Sequence, residues 1–395
     1  MNAHLHVLHL LGALGLILSL LGTPSIFFGR GVASRSAHWV IRASDLNATL
    51  GFLEDVLGMR ALRHEENNAG CEITCNGAFA NPWSKTMVGY APEDEAFCLE
   101  VTTNHGISGY GAPAGLGPLA VALPAVRGEN EDVLAAAAAR GLAVDRAARE
   151  ITGPDGYRYV LDGGVRRGGQ GALLAVTIAV ASLDRALAFY VGVLGFHVEA
   201  AARGGTVVLR LQRSDARLRL QERAGGSEAT AAVAAAITHS LADPSIDGRN
   251  AISMPEAAVR RAFAAIDAAE RAGRRDRGSV VHGLHELDEQ LGMLVIAIVA
   301  GACAAAAAAA ADDDDDDDDD AATTAAAVDI SDHARVAAHH PAPSSAPMPA
   351  DPDGHEICLV SAETFERAVA ESGARWTRSA GAGRDWMNVQ TGQHS

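Results

Sequence analysis

The sequence predicts an α+β protein made by duplication, and three observations carry that expectation. Residues 38–59, HWVIRASDLNATLGFLEDVLGM, return as residues 175–196, AVTIAVASLDRALAFYVGVLGF, at a constant offset of 137. Each copy opens with a short, partly β-branched run and continues with apolar residues at helical spacing. Toward the end of each half, a Pro-Asp-Gly turn leads into an apolar run: GPDGYRYVLD from Gly153 and DPDGHEICLV from Asp351.

The opening strand is expected over residues 38–41 in the first copy and 176–180 in the second. In the helix that follows, Leu46, Leu50, Leu53 and Leu57, and their counterparts Leu183, Leu187, Tyr190 and Leu194, form one apolar stripe each. Gly58 and Gly195 then stand where a C-cap needs a left-handed backbone, which glycine adopts without steric cost. In the closing element, proline presets one dihedral and glycine permits a positive φ, so a turn followed by a strand is expected.

The closing elements are offset by 198 rather than 137, so the second half carries 61 extra residues. Most of them lie in 301–349, an alanine run, nine aspartates and HHPAPSSAPMP. Residues 291–311 are uncharged for 21 positions, the length of a membrane span. Their first part, however, is β-branched, and joining Ala300 to Ala350 gives two strands meeting at a Pro-Asp-Gly turn. A hairpin with a solvated, disordered insertion at its tip follows from that pattern. The aspartate run has no spaced ligand pattern and no glycine to suggest a calcium loop.

At 395 residues, 48% hydrophobic and 21% charged, the chain can bury more than one core. Nine charges of its net −17 lie in residues 312–320, which leaves −8 for the rest and argues against a nucleic-acid partner. Five cysteines without a CxxC pair suggest reduced thiols. Residues 5–22 are uncharged and apolar, and 23–36 are basic and serine-bearing. Residues 1–36 are therefore read as a targeting segment for an organelle (mitochondrion or plastid) or the secretory pathway. An uncleaved anchor is the alternative, and would be the one membrane contact; without either, the chain is expected in the cytoplasm. The organisation expected is 1–36, a first domain over 37–163, a glycine-rich linker over 164–171, a second domain over 172–361 and a tail over 362–395.

The opening repeat, the stretch RHEENNAGCEITCNGAFANPWSKTMVGYAPEDEAFCLEVTTNHG from Arg63, and DPDGHEICLV together resemble the glyoxalase domain-containing protein 4 group of the glyoxalase (vicinal oxygen chelate) superfamily. The resemblance implies tandem glyoxalase-type domains of paired βαβββ modules, whose curved mixed sheets enclose a cleft. It also implies chemistry like that of lactoylglutathione lyase, in which a divalent ion (Zn, Ni or Fe) holds the enediolate oxygens and a carboxylate moves the proton. Four ligands are expected per cleft, one from the first and one from the last strand of each module.

Carried across by resemblance, His38 and Glu100 are the metal ligands, and Glu100 is also the catalytic base. Arg42 and Asn104 match residues that hold glutathione, the implied co-substrate, and a guanidinium suits its carboxylate. Pro118 and Val160 stand at the other two ligand positions of the first half, and Ala114 replaces an expected basic residue. In the second half the four positions hold Ala175, Arg219, Arg249 and Cys358, with Glu356 on the same strand face as Cys358. Two functional readings stay open. One is a lyase acting on glutathione hemithioacetals in the first domain. The other is a non-catalytic protein that binds a small molecule and has lost the ion.

Overall fold

The computed structural model describes residues 33–71, 75–77, 79–111, 113, 115–162, 169–202, 205–223, 248–274, 279–287, 294–300 and 355–365. Most of the expected targeting segment, Ala114, most of the linker, the insertion and the tail beyond residue 365 lie outside the described residues. Among the described residues, no helix is long and apolar enough to cross a membrane.

Four modules follow one another, each a strand, a helix and three strands. The first has β1 (Arg35–Arg42), α1 (Leu46–Gly51), β2 (Arg60–Asn67), β3 (Trp83–Gly89) and β4 (Cys98–Asn104). The second has β5 (Leu116–Ala122), α2 (Asn130–Ala139), β6 (Ala143–Asp145), β7 (Glu150–Thr152) and β8 (Arg158–Leu161). The third has β9 (Ala172–Val180), α3 (Leu183–Tyr190), β10 (His197–Ala202), β11 (Thr206–Arg210) and β12 (Arg217–Glu222). The fourth has β13 (Arg249–Met254), α4 (Glu256–Arg271), β14 (Ser279–Leu287), β15 (Leu294–Ala300) and β16 (Glu356–Ser361). Strand β1 begins at Arg35, so Arg35 and Ser36, both buried, belong to the fold rather than to the segment before it.

The repeated helices form as the pattern requires. Leu46, Leu50, Leu53 and Leu57 are all buried, although α1 widens into a π-helical turn over Phe52–Val56. Asp45 and Ser182 cap α1 and α3 by accepting from Ala48 N and Arg185 N, satisfying orphan donors of the first turn. Gly58 and Gly195 adopt φ of 76° and 79°, the left-handed conformation expected of them. The Gly153 turn leads into β8, and β15 pairs antiparallel with β16. The apolar run at 294–300 is therefore a sheet strand and not part of a membrane helix.

The modules pair across the two halves. One eight-stranded mixed sheet runs β14-β15-β16-β13-β1-β4-β3-β2, and the other runs β10-β11-β12-β9-β5-β8-β7-β6. The first and fourth modules thus share a sheet, joined where β1 lies antiparallel to β13; the second and third share the other through β5 and β9. This corrects the grouping of ligand positions by halves. His38 and Glu100 share a face with Arg249 and Cys358, and not with Pro118 and Val160. Sequence repeats identify equivalent modules but do not say which first strands meet, because each module presents the same kind of edge.

Alternation along each strand divides its side chains between two environments. Trp39, Ile41, Leu99, Val101, Ile252 and Leu359 join one core with the helices and with Leu119, Tyr159, Val176 and Leu218 of the second sheet. The residues between them in sequence face the opposite way. Contacts between modules fix this arrangement: Phe52 packs edge-on against Tyr159 at 5.0 Å, and Asp155 accepts hydrogen bonds from Ser44 and Thr49.

Candidate functional site in the cleft of the first and fourth modules

Register decides which residues meet on the face of the first sheet turned away from the core. Met87 pairs with Glu100, Glu100 with Val40, Val40 with Arg249 and Arg249 with Glu356. One row therefore crosses five strands. The neighbouring row holds Cys98, His38, Ala251 and Cys358. Lys85, Thr102 and Arg42 form the row on the other side. His38, Glu100, Arg249 and Glu356 are all buried, so each charge needs a partner.

His38 has two. Its Nδ1 lies 2.9 Å from Glu93 Oε1, and its Nε2 lies 3.2 Å from Glu100 Oε2. Glu93 is also bonded by Arg63 at 2.9 Å. Burial alone would lower the pKa of His38, but the hydrogen bonds to Glu100 and Glu93 outweigh it and hold the imidazole above its ordinary value. The carboxylates respond in the opposite sense. Burial opposes their ionisation, yet the hydrogen bond and charge of His38, with Arg63 and, for Glu100, Lys85, bring both to about 2. Lys85 is lowered by burial and by the charge of Arg63, and its ammonium lies 2.9 Å from Glu65.

The fourth module supplies an ion pair. Arg249 Nε donates to Glu356 Oε2 at 2.8 Å, and its Nη2 bonds the same oxygen. Cys358 and Cys98 are pushed upward by burial, Cys358 to about 12, so both stay neutral thiols. Phe365, in the first turn after β16, stacks obliquely with its ring 6.3 Å from that of His38, and the Arg35 guanidinium lies 5.7 Å from the centre of the same ring. The start of the expected tail thus covers the imidazole.

Arg42 and Asn104 lie on this face, and a neighbouring turn occupies them. Arg42 is fully buried, with Nη1 donating to Cys75 O at 3.4 Å. Asn104 accepts from Asn76 Nδ2 at 2.8 Å and donates to Asn76 O at 3.1 Å. Cys71 and Cys75, expected as free thiols, form a disulfide beside this turn. Glu100 pairs with His38. His355 is buried, with Nε2 3.1 Å from Ala179 O.

The donor set can be weighed against a divalent ion. His38 Nε2 and Glu100 are adequate ligands, and Glu93 holds the far imidazole nitrogen as an outer carboxylate does in metal sites. Of the remaining positions, Cys358 could ligate only as a thiolate, which its burial disfavours. Arg249 stands at the other as a cation, and it engages Glu356, the nearest replacement carboxylate. Among the described residues, no group of three or more His, Cys, Asp or Glu side chains is arranged to hold a metal.

Three charged residues of this cleft carry no distinguishing signal that the sequence pattern singles out. Glu93 lies in PEDE beside Asp94 and Glu95, and nothing in the sequence separates it from those neighbours, which are not buried. Arg63 and Lys85 alternate toward the cleft on β2 and β3, a periodicity that would have marked them once those strands were placed.

Comparison with known proteins agrees with this architecture. The family model of the Glyoxalase/Bleomycin resistance protein/Dioxygenase superfamily matches residues 35–160 and 172–359. The chain belongs to that superfamily. Within it, the chain is 33% identical over 181 residues to glyoxalase domain-containing protein 4 of Rattus norvegicus, a match covering 42% of this chain and 54% of that protein. It is 47% identical to glyoxalase 1 of Caenorhabditis elegans over 79 residues, 20% of this chain and 28% of that one. It is 30% identical to a probable chloroplastic lactoylglutathione lyase of Arabidopsis thaliana over 175 residues, 42% of this chain and 45% of that one. The chain spans about half the length or less of these curated relatives. A mutant of glyoxalase I from Zea mays superimposes with a TM-score of 0.53 at 18% identity, covering 85% of this chain and 96% of that one. At that identity the likeness concerns the fold alone, which is two glyoxalase domains with curved mixed sheets.

Proposed function

We propose that this superfamily member binds a small molecule of the glutathione hemithioacetal class in the cleft of its first and fourth modules, without a resident divalent ion. The observation that carries this reading is the buried Arg249–Glu356 pair, in which a guanidinium holds the place of a ligand and neutralises the nearest spare carboxylate. A dication beside that guanidinium would meet repulsion inside a poorly solvated cleft.

Ligand recognition would fall to Arg42 and Asn104, the first for a carboxylate through its planar fork and the second for an amide. Both are engaged by the turn carrying Cys75 and Asn76, so entry requires that turn to exchange its hydrogen bonds for those of the ligand. Glu100 and His38 then present a carboxylate acceptor and an imidazole nitrogen 3.2 Å apart, suited to orienting a hydroxyl.

A second reading, a lyase of the lactoylglutathione lyase type, is favoured by Glu100 itself. Its carboxylate stays ionised at neutral pH, as a base that abstracts a carbon-bound proton must. The two readings separate in one experiment on the full chain. Metal content is measured after expression in medium supplemented with Zn²⁺ and Ni²⁺, S-hexylglutathione is titrated calorimetrically, and methylglyoxal with glutathione is assayed for turnover. Substoichiometric metal together with binding unaffected by chelator is the expected result. Stoichiometric metal with Ni²⁺- or Zn²⁺-dependent turnover would establish the lyase and overturn the proposal.

A further inference from the structure

We infer that the cleft of the second sheet, formed by the second and third modules, is an oxyanion-binding site centred on Arg219. Register makes the two clefts comparable residue by residue. In the first sheet Glu100 pairs with Val40, two residues after His38. In the second, Arg219 pairs with Thr177, two residues after Ala175, and Arg217 pairs with Ala175 as Cys98 pairs with His38. Arg219 therefore occupies the place of Glu100, at the centre of its cleft, with the charge inverted. The imidazole that fills the first cleft is replaced by the methyl group of Ala175, and Ala120 lies opposite it on β5. Small side chains, both fully buried, thus floor the site.

The surrounding charges point the same way. Arg217 is clamped by Glu199, at 2.6 Å to Nε and 2.9 Å to Nη2, which fixes it beside Arg219. Continuing the β11–β12 register beyond Leu209 and Leu218 sets Arg210 opposite Arg217, and the Glu199 carboxylate that clamps Arg217 also feels the charge of Arg210, which leaves Arg219, among the described residues, as a guanidinium without a hydrogen-bonded carboxylate. Arg219, with 30% of its side chain exposed, meets among the described residues only Asp162, 3.9 Å away, beyond hydrogen-bonding distance. Its fork is thus available for a bidentate partner, and carboxylate and phosphate both match that geometry. Of the nearby carboxylates, Glu199 is committed to Arg217, while Asp215 and Asp162 act on Arg217 through space. None of the three hydrogen-bonds Arg219, so the guanidinium can still attract a small anion.

The test is calorimetric titration of the full chain with inorganic phosphate and, separately, with succinate, at ionic strength held constant with NaCl. Saturable binding of at least one anion is expected, weakened ten-fold or more in Arg219→Gln. Ala175→Leu, which leaves every charge in place but fills the floor, is expected to weaken binding similarly, and it keeps the test open if the first variant misfolds. Binding of phosphate alone would identify a phosphate group as the natural ligand feature, and binding of succinate alone a carboxylate. Absence of saturable binding of both anions, or equal affinity in folded Arg219→Gln and Ala175→Leu, would overturn the inference. Binding of S-hexylglutathione in the other cleft is read separately, so this outcome does not depend on that one.

Discussion

A buried imidazole held between two carboxylates makes the first cleft a pH-dependent contributor to stability. The pKa of His38 is raised above its unfolded value near 6.5, so its contribution is complete below that pH and is lost as pH rises through the folded value. Glu93 and Glu100 are depressed to about 2, so theirs is complete above about 4.5 and is lost as pH falls toward 2. Urea unfolding should therefore show highest stability between roughly pH 5 and 6.5, with a decline on the alkaline side. In His38→Asn that alkaline limb should flatten; an unchanged limb would mean that other groups produce it. Arg249 supports a second expectation at this scale. Arg249→His exchanges a cation for a neutral imidazole beside Glu100 and releases Glu356, so that the introduced imidazole joins His38, Glu100 and Glu356 as candidate donors. Such a variant should take up stoichiometric Zn²⁺ and gain about 3 kcal/mol of stability at a hundred-fold excess over its Kd. If it folds and remains metal-free by elemental analysis, the arginine is not what excludes the ion.

At the scale of elements, the repeated helix with its glycine stop was the most legible feature, because its signals are local: an apolar stripe and a glycine placed for a positive φ. The two glycines nevertheless differ in surroundings. A Cβ on Gly195 would meet nothing within 4 Å, whereas one on Gly58 would stand 2.8 Å from Arg127 Nε and 2.9 Å from Pro124 Cγ. Arg127 cannot withdraw freely, since its guanidinium caps the end of the π turn by donating to the carbonyls of Asp55 and Glu54. Gly195→Ala should cost only the left-handed conformation, about 1 kcal/mol, while Gly58→Ala should cost about 1–2 kcal/mol more through the displaced cap. Equal costs in chemical denaturation would show that Arg127 contributes no capping stability. What was not legible at this scale were side chains placed by turns rather than by periodicity. Glu93 and Asn76 reach the cleft from irregular segments, and their burial depends on strands far away in sequence. The Cys71–Cys75 disulfide belongs with them, since two cysteines four apart carry no framework signal.

Over the whole molecule, the duplication was visible in the sequence but the partnership of its modules was not, and the difference matters for the site. Ligand positions read by halves would group His38 with Pro118. The sheets instead pair His38 with the strand of Arg249, so half of the candidate site comes from the far end of the chain. Such pairing follows from which exposed strand edges meet, a property of three-dimensional packing that equivalent repeats leave undetermined. It also has a consequence for autonomy. A fragment of residues 33–163 would expose β1 along one edge and β5 along another, each having lost an antiparallel partner in the other half. Unpaired edges and the apolar faces behind them favour aggregation or non-native association over a folded monomer. Each half expressed alone should therefore lack the near-ultraviolet dichroism of the packed Trp39, Phe52 and Tyr159. Co-expression of 33–163 with 169–395 should restore that signal in a one-to-one complex that co-elutes in gel filtration. Two halves that each fold as stable monomers would contradict the observed strand order and would return the candidate site to the first half alone.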